Sequence, residues 1–277
     1  MLPELTAVHI AVLLSQGVAV GAIGSTVGIG GGILLVPILL FLFPDAEPAV
    51  ITSMSLTAVV LNALSATTGY RRLGWQDTRT GAVLVAAAVP AAIGGAFLTR
   101  NIERGSFEVV FGVALVLGGL YLGWRGRGLP RITTPSLRGT ARRITDRKLQ
   151  VYVYRVREGL AAAIALVAGF IAAFFGIGGG IINVPVMMLV LKMPSRMAIA
   201  TSQLELMIAS AAALLVHLTA TFGEWDPWIR GLILGLGTLM GAQIGVRAGG
   251  KASGRLVLLI ISVVLFLSGA RQIIAGV

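Results

Sequence analysis

The chain has 277 residues, of which 56% are hydrophobic and only 12% charged, with a mean hydropathy of +0.92 and a formal net charge of +11. Soluble domains carry roughly a quarter charged residues, so this is the composition of a polytopic membrane protein. With no cysteine and two histidines, His9 and His217, it offers no disulfide and no metal-ligating cluster, and nothing in it implies a cofactor.

Apolar segments fall in chain order at about 6–23, 30–43, 46–69, 80–98, 107–124, 159–175, 178–192, 196–219, 228–247 and 256–275. Most approach the ~20 residues that cross ~30 Å of hydrocarbon. The second and seventh are shorter, and both begin in a glycine cluster, so they read as broken or re-entrant helices. Met1 to Thr6 lacks a basic stretch and holds Glu4, which argues against a cleaved signal peptide.

If all ten segments cross, the connections at 70–79, 125–158, 192–196 and 247–255 share one side. They carry 18 of the 22 lysines and arginines. Basic residues stay cytoplasmic, so both termini are expected outside a cell inner (cytoplasmic) membrane. The positive charge is thereby a topology signal, and no nucleic-acid partner is implied. The one long connection, residues 125–157, reads as a basic cytoplasmic linker: a solvated tether, or a short basic helix on anionic headgroups. Trp75, Trp124, Trp225 and Trp228 stand near segment ends, as an aromatic belt requires. His217, close to the end of its segment, is expected at the interface.

Gly28-Ile29-Gly30-Gly31-Gly32 leads to Pro37, and 148 residues later Gly176-Ile177-Gly178-Gly179-Gly180 leads to Pro185. A dinucleotide-binding loop is excluded, because that fingerprint needs a soluble βαβ unit. One residue further on in the alignment, Thr52-Ser53 lies on Thr201-Ser202. The chain thus divides into 1–124, a first transmembrane repeat, and 158–277, a second. Five segments per half make the second copy enter the membrane the opposite way. The expected fold is an all-α polytopic membrane protein of two inverted-topology repeats, the plan of secondary transporters. Pro37 and Pro185 are structural residues that free upstream carbonyls. Gly30, Gly31, Gly32, Gly178, Gly179 and Gly180 open short helices whose first N–H groups form anion sites near mid-membrane.

Polar residues inside a span are costly and mark candidate sites. Glu205 is the one carboxylate away from the ends of a segment; it is either a proton carrier or a buried protonated acid bonded to a neighbouring helix. Its counterpart in the first half is Leu56, and Met54 stands opposite Gln203, so the repeat is broken there. Asn183, Thr52, Ser53, Thr201, Ser202 and Gln203 are candidate solute-lining residues; Thr52, Ser53 and Ser55 match the hydroxyl-rich start of 201–205, and Asn62, Ser65, Thr67 and Thr68 continue down the first copy's helix. Ser25, Thr26, Gln16 and Gln243 are weaker candidates. No lysine or arginine stands mid-span, so an anionic solute would be held by helix dipoles, hydroxyls and amides.

The doubled Gly-Ile-Gly-Gly-Gly…Val-Pro, the Thr-Ser after each copy and the small-residue helix near the end of each half (Pro90–Gly95; Leu239–Gly245) resemble the TauE/SafE family of membrane transporters. The resemblance covers the chain apart from 125–157 and the extreme termini. It implies transport of a small sulfur-containing anion, sulfite or an organosulfonate such as sulfoacetate, others of the family being linked to taurine breakdown. The partners expected are that solute, the lipid bilayer and protons as coupling ion. A passive anion channel or uniporter of the same architecture is the alternative. An intramembrane enzyme would need a paired nucleophile and base or clustered metal ligands, and a scaffold would not call for duplicated broken helices.

Overall fold

The computed structural model describes residues 5–127, 139–220, 225–249 and 254–276. These contain ten helices and one hairpin: α1 (Ala7–Val27), α2 (Gly32–Leu42), α3 (Pro48–Leu73), α4 (Thr78–Thr99), α5 (Arg104–Arg127), β1 (Thr140–Thr145), β2 (Val151–Val156), α6 (Glu158–Phe174), α7 (Gly180–Leu189), α8 (Ser195–Ala220), α9 (Trp225–Ala248) and α10 (Gly254–Gly276). Helices α1, α3, α4, α5, α8 and α9 are long and apolar enough to cross a membrane. The protein is an all-α polytopic membrane protein. Helix α2, with 11 residues, is only roughly 16 Å long, about half the hydrocarbon thickness, and α7 is shorter still.

Local chemistry sets the boundaries. Thr6 caps α1 by accepting the His9 N–H, and Gly28 closes it in the left-handed region. Pro48 opens α3, while Arg71 and Arg72 oppose the helix dipole in its last turn before Gly74. Asp77 caps α4, its Oδ1 accepting the Thr80 N–H at 3.0 Å.

The helix pairings survive exchange of the two halves. Helix α1 packs on α9 as α6 packs on α4; α3 packs on α9 as α8 packs on α4; α2 lies on α3 as α7 lies on α8; α3 meets α8, and α5 meets α10. Close backbone contacts give the directions. Gly17 lies on Gly237 and Gly245 on Ala22, so α1 and α9 run parallel; Gly169 lies on Ala88 and Gly95 on Phe174, so α4 and α6 do too. Helices α3 and α8 run antiparallel: Thr52 faces His217 at one end, Val59 packs with Leu206 midway, and Tyr70 clusters with Ala200 at the other. Helices α5 and α10 are antiparallel as well, Gly112 lying on Gly269 and Gly119 on Ser262.

The connections at 70–79, 139–157 and 192–196 lie together at one end of the bundle. Arg196 lies over the Trp75 ring at 5.0 Å, the Asp77 N–H donates to Thr201 Oγ1, and the Tyr70 hydroxyl donates to the Ser25 carbonyl at 2.6 Å. At the opposite end Arg104 donates to the carbonyls of Leu40, Phe43 and Ala46, and Arg230 pairs with Asp226 at 3.2 Å.

One expectation is corrected. Residues 140–156 form an antiparallel hairpin rather than a basic helix on lipid, with Thr140 opposite Val156 and Thr145 opposite Val151. The alternation in Val151-Tyr152-Val153-Tyr154-Arg155-Val156 is the reason: β-branched and aromatic residues with a period of two suit a strand. The hairpin docks on the helix ends. Tyr154 donates to Asp77 Oδ2 at 2.8 Å, Arg142 stands 3.6 Å from Asp77 and 2.5 Å from Glu158, and the Arg147 N–H donates to the Leu73 carbonyl. Burial pushes the Tyr154 phenol well above its ordinary range, and the Asp77 carboxylate beside it adds to that. Residues 128–138 of the linker lie outside the described residues. His217, in the last turn of α8, is fully buried between α8 and α3.

Candidate functional site

The two glycine turns meet at the centre of the bundle. Gly32, the first residue of α2, abuts the Ile177 carbonyl, and Gly180, the first residue of α7, abuts the Gly28 carbonyl and Ile29. A Cβ at either position would overlap backbone, so only glycine permits the crossing. Gly30 (φ 77°) and Gly178 (φ 72°) both take left-handed backbone against the same side chain, Leu206 of α8. One residue thus anchors both turns. Pro37 and Pro185 lie inside the short helices they were expected to occupy.

Side chains from the long helices satisfy the turns' carbonyls. Ser202 Oγ donates to the Gly28 carbonyl at 2.9 Å. Asn62 Nδ2 donates to the Gly30 carbonyl at 2.8 Å and its Oδ1 accepts from Ser25 at 2.5 Å. In the other turn Ser55 donates to the Gly176 carbonyl at 2.7 Å. Ser53, which aligns with Ser202, instead donates to Val50 within its own helix. The role is conserved between the halves while the position slips by two residues along α3.

Helices α7 and α8 bring Asn183 and Glu205 together. Asn183 Nδ2 donates to Glu205 Oε2 at 2.6 Å, and both side chains are about 1% exposed. Gly179 faces the pair: a Cβ there would stand 3.0 Å from Asn183 Nδ2 and 3.4 Å from Glu205 Oε1. Beside Glu205 is a void of about 10 Å³, lined also by Ser210 and by small residues including Ala92, Gly169 and Ala172. That is near the smallest space that holds a water molecule. Among the described residues, neither end of the buried Gln203 amide nor Asn183 Oδ1 has a hydrogen-bond partner. Such groups are costly unless something else reaches them. Leu56 and Met54, which stand opposite Glu205 and Gln203 in the alignment, are both fully buried, so the polar set belongs to the second half.

The remaining candidates sit farther out along α3 and α8. The Thr52 hydroxyl donates to the Pro48 carbonyl at 2.8 Å and lies 3.5 Å from His217 Nε2, while its backbone contacts Gly176. Thr201, at the basic end, accepts the Asp77 N–H at 3.1 Å. One participant carried a weak sequence signal: Ser210 sits in an alanine-rich run.

The first residues of two short helices each abut the opposite glycine turn, with the Ser202 hydroxyl, the Asn183 amide and the Glu205 carboxyl held beside those turns. The sequence matches the family described as sulfite exporter TauE/SafE over residues 13–272. The chain belongs to the TauE/SafE family. Its relatives include the probable membrane transporter protein YunE of Bacillus subtilis (strain 168), 30% identical over 272 residues and covering 96% of this chain and 98% of that protein. A probable membrane transporter protein of Methanocaldococcus jannaschii is 24% identical over 271 residues, 93% of this chain and 92% of that one. Another, of Xylella fastidiosa (strain 9a5c), is 25% identical over 237 residues. No solved structure matches. The TauE/SafE match takes in all but the extreme termini, so both glycine turns and the Asn183–Glu205 pair lie within it.

Proposed function

We propose that this TauE/SafE protein is a proton-coupled secondary transporter of a small sulfur-containing anion, sulfite or an organosulfonate such as sulfoacetate, in the cytoplasmic membrane. Residues 1–124 and 158–277 act as two inverted repeats joined by the 125–157 linker. The antiparallel run of α3 against α8 and of α5 against α10 supports that inversion, because equivalent helices of inverted repeats point opposite ways.

The observation that carries the reading is the contact of Asn183 with Glu205 beside the first turn of α7. An ionised Glu205 would repel an incoming anion strongly in so dry a place. A protonated one removes the repulsion and offers an O–H donor. Proton and anion therefore enter together, and loss of the proton expels the anion. Gly30 to Gly32 and Gly178 to Gly180 supply backbone N–H donors, and Asn183, Ser202 and Gln203 the side-chain contacts. Thr52, Ser53 and Thr201 line the approaches at the two ends of α3 and α8.

The test is sulfite and sulfoacetate flux into proteoliposomes under an imposed pH gradient, for wild type and Glu205→Gln. Wild-type flux should follow the gradient, and the variant should lose that dependence while still exchanging labelled for unlabelled anion. Flux indifferent to pH in both proteins would instead make Glu205 structural and the protein a uniporter or channel.

A further inference from the structure

The small void beside Glu205 lies where α4, α6 and α8 meet the second glycine turn. Most of its wall, Ala92, Gly169, Ala172, Ala173, Gly179 and Ala209, has no polar side-chain atom. The remaining lining residues are Glu205 and Ser210, 1% and 4% exposed. The Asn183 amide serves Glu205 Oε2, which leaves Oε1 for the void. Thr52 and Thr57 turn their hydroxyls back onto carbonyls of their own helix, a common habit of such residues. Among the described residues the Ser210 hydroxyl makes no such bond.

Size and chemistry together decide what the void can take. A volume of about 10 Å³ has room for one water molecule and none for an oxyanion of several heavy atoms. A buried water needs at least two polar partners, and Glu205 Oε1 and Ser210 Oγ are two. A protonated Glu205 has an O–H to donate, whereas an ionised one only accepts. The Asn183 amide nitrogen only donates, so it cannot receive that proton. A water molecule donates or accepts as required, and so does the hydroxyl behind it.

We propose that this void is a site for one ordered water molecule, bonded to Glu205 Oε1 and Ser210 Oγ. The water reverses its bond to Oε1 when Glu205 changes protonation state, so the carboxyl gains or loses its proton without losing a partner. Ser210 is a positioning residue, acting on the carboxyl through the water. The use of such a site rests on the transport reading, which needs Glu205 in both states; the site itself rests on the geometry.

Glu205 stands alone enough to be read by spectroscopy. Helix α7 has no titratable residue. Those of the other helices around it are Tyr70, Arg71 and Arg72 of α3, Arg79 of α4, Glu158 of α6, and Arg196 and His217 of α8, and each stands in a first or last turn.

The protein in nanodiscs is taken from neutral to acid pH, and infrared difference spectra are recorded in ordinary and in heavy-oxygen water. Wild type should show a carboxyl C=O band that Glu205→Gln lacks, and with it a water O–H band that moves in heavy-oxygen water. Ser210→Ala should lose the water band and shift the C=O band. Ala209→Val, which keeps the hydroxyl and takes the room, should lose the water band as well. Ser262→Ala removes a hydroxyl bonded to the Gly119 carbonyl in the α5–α10 pair and should leave both bands in place. A Glu205 band with no water band beside it, or a water band that survives in either folded variant, would overturn the site and leave the transport reading standing. A wild type with no Glu205 band would overturn both.

Discussion

Asn183 on α7 donates a 2.6 Å hydrogen bond to Glu205 on α8, joining the short helix to the long one at the start of the second glycine turn. Asn183→Ala removes the donor and leaves the carboxyl beside a larger void. Losing one partner of a buried hydrogen bond costs about 1–3 kcal/mol. Thermal unfolding in detergent should show a lower midpoint for this variant, and anion flux should fall with it. An unchanged midpoint would mean that water already satisfies Glu205.

The crossing of the two turns leaves no room for a methyl group. Gly32→Ala drives a Cβ into the Ile177 carbonyl, and Gly180→Ala drives one into that of Gly28. Each should destabilise by about 1–3 kcal/mol, the usual cost of overpacking. Gly118→Ala, by contrast, meets nothing and should be neutral or mildly stabilising, since alanine is the better helix former. Comparing the three by denaturation separates packing from a general intolerance of change at glycine.

The hairpin's attachment makes a prediction about alkaline pH. The Tyr154 phenol is raised above its ordinary value by burial and by Asp77. A group held up in the folded state contributes its full stability below its unfolded pKa, near 10 for tyrosine. Above that pH the unfolded state loses its proton first, and docking weakens by about 1.4 kcal/mol per pH unit. Limited proteolysis of residues 140–156 should therefore become easier above about pH 10, and in Tyr154→Phe the susceptibility of the hairpin should lose that pH dependence.

Arg142 is 7% exposed and serves both Asp77 and Glu158. Arg142→Ala leaves Asp77 buried without its cation, and breaking a buried pair from one side costs about 3–5 kcal/mol. Limited proteolysis should then cut the hairpin in the variant and spare it in the wild type. Replacing Asp77 by asparagine in the same chain should recover part of the loss.

The chain contains no cysteine, so sidedness can be read without background. Lys148→Cys on the hairpin turn and Glu103→Cys between α4 and α5 are both exposed positions at opposite ends of the bundle. In intact cells a membrane-impermeant maleimide should label Cys at 103 and reach Cys at 148 only after permeabilisation. The reverse pattern would invert the orientation drawn from the basic loops.

Much of this was legible in the sequence because hydrocarbon enforces a simple code. An apolar stretch at 196–219 could hardly be anything but a helix, and α8 spans Ser195–Ala220. The glycine turns were legible too, since repetition at a fixed spacing singled out Gly32 and Gly180. The code fails where the chain leaves the lipid. In the linker the eye follows charge, and ten basic residues hid a strand whose only announcement was the alternation around Tyr152 and Tyr154. It also fails for partnerships across helices. Nothing in the order of residues says that Ser55 rather than Ser53 would reach Gly176, because that choice is made by the rotation of α3 against the turn.

On the transport reading proposed above, the hairpin bears on which way the carrier faces when idle. A bundle whose pairings survive exchange of its halves has no internal reason to prefer one open end over the other. The strands between Gly139 and Val156 belong to neither half, and they tie Leu73, Asp77 and Glu158 together at one end alone. Any such fastening tilts the resting population, and about 1.4 kcal/mol is enough for a tenfold excess. On that reading the connector between the proposed repeats, rather than the repeats themselves, sets the side on which an empty molecule waits.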